Sequence, residues 1–127
     1  MNLTNQQILD FANTPLGNKK LPMKLAYAIA VNTAAMAPAL EGYNAARKTL
    51  LNGYAKTDDK GEPIVENGNY IIENIDGWTN DIKVLLETEA NIPVTTVPVD
   101  VLEKCDDPAF DKLSVRELAV ISFMIEE

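Results

Sequence analysis

The sequence predicts an α+β fold that is mainly α: a long, kinked helix packed with two or three further helices, plus a small β-hairpin, in a single domain over residues 1–127. Three observations carry that expectation. Apolar residues recur every three or four positions from Leu25 to Tyr54, the period of one helix face. Asn67-Gly68 stands between two short β-branched runs, the strongest short-range sign of a hairpin. Thr4…Gln7 and Ser114…Glu117 both have capping-box spacing, which marks helix starts.

Taken in order, Thr4 and Gln7 open a short helix near 4–13, with Ile8, Phe11 and Ala12 as its apolar stripe. Thr14-Pro15-Leu16-Gly17-Asn18 ends it. Pro22 suits the first turn of the long helix, about 22–54, because its missing N–H costs nothing there. Pro38 lies inside that helix and is expected to kink or divide it near 34–38. Alanines at 26, 28, 30, 34, 35, 37 and 39 favour helix and permit a neighbouring helix to approach closely, within the core or at an oligomer seam.

A hairpin is expected over 62–73, with both turn residues at positive φ, and it needs a helix or a further strand to rest on. A third helix follows from Asp76 to Glu89 or Ala90, burying Trp78, Ile82, Leu85 and Leu86. Ile92–Pro98 reads as an edge strand or extended connector, since two prolines exclude a central strand. Pro98 opens a single helical turn with Val101 and Leu102, and Asp106-Asp107-Pro108 makes a turn. From Ser114 a last helix, apolar around nearly its whole circumference through Ile125, is expected at the centre of the core or in an interface, with a frayed end.

Composition narrows the chemistry. The chain has no histidine, which removes the commonest general base and metal ligand and every Ser-His or Cys-His nucleophile. Cys105 is a lone cysteine beside Asp106 and Asp107, whose charges oppose thiolate formation. No Gly-rich phosphate loop occurs. Asp58-Asp59-Lys60-Gly61-Glu62 lacks the ligand spacing of a calcium loop and reads as a turn. The expectation is a protein that is not an enzyme and carries no cofactor and no metal.

The net charge of −8 hides a division: residues 1–57 sum to +4 and residues 58–127 to −12. Such asymmetry lets opposite charges meet within or between subunits, or simply solvates the second half. The acidic group Asp100, Glu103, Asp106, Asp107 and Asp111 reads as solvated surface more readily than as a nucleic-acid mimic. Direct binding of nucleic acid is disfavoured, because it needs clustered cations. Tyr43, Arg47 and Tyr54 share one face of the long helix with Lys48 adjacent, a set able to hold a nucleotide or another anion. The alternative is an Arg47 whose stem covers the core and whose head pairs with the acidic half. Apolar runs are interrupted by Lys24, Asn32 and Pro38, short of a membrane span, and the N-terminal residues lack a signal-peptide pattern. A cytoplasmic location is expected.

The order of features resembles small phage and prophage proteins of unknown function from Gram-positive bacteria. The carrying residues are Leu3-Thr4-Asn5-Gln6-Gln7-Ile8, Lys20-Leu21-Pro22-Met23-Lys24-Leu25, Ala46-Arg47-Lys48 leading to Tyr54–Gly61, Leu85–Glu89 before Ile92-Pro93-Val94, and Phe123–Glu127. The resemblance implies a phage-encoded accessory protein, in the host cytoplasm or the virion, and transfers no active-site residue. Homo-oligomerisation through the Ala-rich or C-terminal surfaces is expected, and a phage or host protein is the other expected partner, engaged in assembly or in binding a host factor. The alternative function is sequestration of a host nucleotide signal at Tyr43, Arg47, Lys48 and Tyr54.

Overall fold

The computed structural model describes residues 1–126. The elements run β1 (Asn2–Thr4), α1 (Asn5–Asn13), α2 (Met23–Tyr54), β2 (Val65–Glu66), β3 (Asn69–Tyr70), α3 (Ile75–Glu87), β4 (Glu89–Asn91), β5 (Val97–Pro98), α4 (Asp100–Glu103), α5 (Val115–Ile121) and β6 (Ile125–Glu126). The architecture is α+β and mainly α, with α2 as its spine and three two-stranded ladders around it.

Both capping boxes form. The Thr4 hydroxyl accepts from Gln7 N at 3.1 Å while the Gln7 side chain accepts from Thr4 N at 2.9 Å. Ser114 and Glu117 repeat the arrangement at 3.1 and 2.8 Å. Each box satisfies backbone donors that a helix start leaves unpaired.

One continuous helix covers Met23–Tyr54, so Pro38 does not divide it. Proline removes the donor to the Ala34 carbonyl. Pro38 and Ala34 are both exposed, so water can satisfy that carbonyl and the helix runs on. The buried residues of α2, Leu25, Ala28, Ile29, Asn32, Met36 and Tyr43, form one face. They meet α1, α4 and β5 on the core side, with α3 packed along the same helix.

The hairpin forms where expected, with Asn67 at φ 52° and Gly68 at φ 81°. Its support is the chain leaving α2. Lys56 N donates to Ile71 O at 2.7 Å and Ile64 N donates to Lys56 O at 2.8 Å, joining both arms to that segment. Val65 and Tyr70 remain exposed on it.

Two regions depart from expectation. Helix α3 stops at Glu87 because Glu89–Asn91 pairs antiparallel with β1, Thr4 opposite Glu89 and Leu3 opposite Ala90. Its Trp78, Ile82, Leu85 and Leu86 are half-buried, not enclosed. The last helix is also shorter than its apolar run. It ends at Ile121, passes through a 3-10 turn (Ser122–Met124), and finishes as β6, parallel to β5. Strand pairing holds Glu126, where fraying was expected: Val99 N donates to Glu126 O at 2.8 Å, and Thr96 Oγ1 donates to Glu126 Oε1 at 2.6 Å. Glu127, the other residue of that expectation, lies outside the described residues. Ile121 and Met124 enter the core, whereas Val115 is 85% exposed, so the apolar circumference is only partly used.

The core draws on both ends of the chain, from Leu3, Ile8, Phe11, Leu25 and Met36 to Ile92, Val97, Val101, Ile121 and Met124. Phe11 meets Phe123 edge-to-face at 5.4 Å. Both ion pairs among the described residues cross the charge division, Lys19–Glu117 at 3.3 Å and Lys56–Glu73 at 3.5 Å. The Asp111 carboxylate likewise accepts from Lys20 N at 2.8 Å. The basic first part and the acidic second part therefore meet within one chain.

Candidate interaction surface

At 100° per residue, the face of α2 opposite its buried residues carries Met23, Tyr27, Ala30, Ala34 and Ala37. All five are exposed; Met23 stands at 80% and Tyr27 at 65%. Only 28% of the helix's most apolar eighteen-residue stretch is buried. A soluble helix ordinarily turns its polar side outward. Here the outward side is apolar too, with two large residues, Met23 and Tyr27, exposed in line with three alanines.

A groove of about 600 Å³ adjoins this face between α1, the 14–21 loop and α2. Phe11, Leu16, Leu21, Ala26, Ile29 and Ala30 line it, and Thr14, Lys19 and Thr33 supply polar atoms. Ala30 belongs to both the groove and the exposed row, so the two are continuous. Lys19 is held by Glu117 and donates to Lys112 O at 3.3 Å, which ties the loop to the start of α5.

The length and composition of α2 would let it cross a membrane. The uncharged stretch between Lys24 and Glu41, however, is sixteen residues. At 1.5 Å per residue it extends about 24 Å, short of a hydrocarbon core of about 30 Å. Asn32 within it is fully buried and bonded inside the fold: its Nδ2 donates to Thr95 O at 2.9 Å and its Oδ1 accepts from Thr95 N at 2.7 Å. This side chain behaves like one rung of a β-ladder, fixing the 92–97 connector to α2.

The proposed nucleotide residues are placed differently from one another. Tyr43 is 8% exposed and belongs to the buried face. Arg47 and Lys48 stand exposed, and neither takes part in the two ion pairs above. Tyr54 donates its hydroxyl to Asp81 Oδ2 at 2.5 Å and meets Trp78 edge-to-face at 6.1 Å. That hydrogen bond, with some desolvation and the Asp81 charge, raises the Tyr54 pKa above the usual phenol range. Tyr43 is thus turned into the fold and the Tyr54 hydroxyl is already taken by Asp81, which leaves Arg47 and Lys48 exposed at the surface.

Other candidate groups have structural explanations. The Asp58 carboxylate accepts from Lys60 N at 2.9 Å and Glu62 N at 3.0 Å, closing a turn. Among the described residues no three Cys, Asp or Glu side chains gather in a metal-holding group. Cys105 is buried, and burial together with Asp106 pushes its thiol pKa up. Asp100, Glu103, Asp106 and Asp107 are exposed, and Asp107 caps Ala109 N at 2.9 Å.

Compared with protein-family models, with curated proteins and with solved structures, the chain matches none.

Proposed function

We propose that this is a non-enzymatic protein that acts by docking another protein on the exposed face of α2 and the groove beside it. The single observation carrying this reading is the row Met23, Tyr27, Ala30, Ala34, Ala37, exposed on a helix whose opposite face already fills the core. Burying such a row is favourable by roughly 25 cal/mol per Å² of apolar surface. In the setting the phage resemblance implies, the docking serves assembly or capture of a host factor.

The test is a photo-cross-linking amino acid placed at Ala30, with exposed Glu66 on the hairpin as the control position. Irradiation of cells producing the protein should give protein adducts from position 30 and not from position 66. Equal yields, or none from position 30, would overturn the reading.

A further inference from the structure

We propose that the molecule covering this face is a second copy of the chain, with the two α2 helices antiparallel. The inference rests on the docking reading above and adds the partner and its orientation. The outward positions Met23, Tyr27, Ala30, Ala34, Ala37 and Glu41 are spaced four, three, four, three, four. That alternation keeps a seam facing a neighbouring helix. It also reads the same in both directions, so an antiparallel pair sets Met23 against Glu41, Tyr27 against Ala37 and Ala30 against Ala34 of the second copy.

Size and charge both choose this orientation. Antiparallel, the bulky Tyr27 ring meets an alanine methyl, the large-against-small alternation that fills an interface without voids. Parallel, ring would oppose ring at one level while methyl opposed methyl at three others. Lys24 and Glu41 are the charged residues of α2 before Arg47, and both are exposed near opposite ends of the row. An antiparallel pair brings each Lys24 near Glu41 of the second copy, twice per dimer. A parallel pair would bring like charges together and align the helix dipoles unfavourably.

Covering the row places two polar groups at the seam, the Glu41 carboxylate, which Lys24 of the second copy can pair, and the Tyr27 hydroxyl, which at 65% exposure can keep water at the rim. Thr33, at its flank, donates to Ile29 O at 2.7 Å, and Asn32 is bonded to Thr95 on the other side. The remaining flank side chains therefore add no desolvation cost of their own. Alanines at 30, 34 and 37 let the helix axes approach to about 8 Å, the close end of helix packing.

Sedimentation equilibrium on the purified chain tests the proposal, comparing wild type, Lys24→Glu, Glu41→Lys and the double variant. Circular dichroism checks that each is folded, as exposed substitutions should leave it. The expected result is a dimer that each single reversal weakens about tenfold at low salt and the double variant restores. A dimer indifferent to the single reversals, or not rescued by the double, overturns the antiparallel register. A monomeric wild type at every concentration overturns the second copy as partner. The docking reading survives that outcome if position 30 still cross-links to a different protein. Binding of the monomer to phosphatidylcholine vesicles, lost in Ala34→Arg, would overturn the proposal in favour of lipid.

Discussion

Replacing Asn32 by leucine removes the two hydrogen bonds that join α2 to Thr95. The side chain is 0% exposed, and both Thr95 backbone groups it serves lie in a half-buried connector. Leucine has the same branched shape with somewhat larger end groups, so the change strands a donor and an acceptor without opening a cavity. Each stranded group costs about 1–3 kcal/mol when buried. Partial access of water to Thr95 places both at the lower end, for a total of about 2–3 kcal/mol. Against a typical stability of about 5–15 kcal/mol, that is a large fraction. Urea denaturation followed by circular dichroism should show the midpoint falling by about 1–2 M with the slope unchanged. Asn52→Leu, at an exposed position of the same helix, should stay within about 0.5 kcal/mol of wild type. An Asn32→Leu protein as stable as wild type, or more so, would refute the reasoning that this amide is a required rung.

Gly77→Ala should destabilise by about 1–2 kcal/mol, because a Cβ there would sit 2.6 Å from the Asn74 amide and 3.0 Å from the Tyr54 ring. A rise in melting temperature, as helix propensity alone predicts, would contradict it. The Glu117 carboxylate is held below its usual range, chiefly by the Ser114 backbone N–H and further by the Ser114 hydroxyl and Lys19. A lowered folded-state pKa contributes stability above the ordinary glutamate value of about 4.3, lost as pH falls through the lowered value. Glu117→Gln should therefore flatten the acid limb of the stability–pH curve, and an unchanged limb would count against the pairing. Cys105 should react with a thiol reagent at least about tenfold more slowly in the native than in the unfolded protein, as burial with a raised pKa requires. Equal rates would place it at the surface.

Local signals in the sequence reached local structure well. Two capping boxes, the Asn67-Gly68 turn and the long period of α2 depend on residues near one another, and each appears where its chemistry puts it. Pairings between distant segments were not legible. Strands β1, β4 and β6 are two or three residues long, and nothing in Asn2–Thr4 or Ile125–Glu126 names a partner some thirty to ninety positions away. The apolar run after Ser114 has helical composition, yet strand pairing with Val97 and Pro98 wins its last residues. Asn32 carried a readable sign, an amide in an otherwise apolar stripe, which must find a partner once buried. Which backbone it would serve was beyond the sequence. The alanine-rich stretch stood open between core and seam. Ala28 is buried while Ala30, Ala34 and Ala37 are exposed, so the stretch serves the core on one face only, and a seam on the other face is the proposal made above.

The central claim is that the outer face of α2 meets the same face of a second copy, head to tail. A single nitroxide at exposed Asn44, introduced as Asn44→Cys in a Cys105→Ala background, reads this directly by double electron–electron resonance. The antiparallel seam centred near residue 32 separates the two labels by 24 residue rises, about 37 Å once the lateral offset of about 8–10 Å is included. A distance distribution centred near that value is the predicted result. A short distance of roughly 10–15 Å, as parallel helices would give, or no interchain distance at all, would contradict the account.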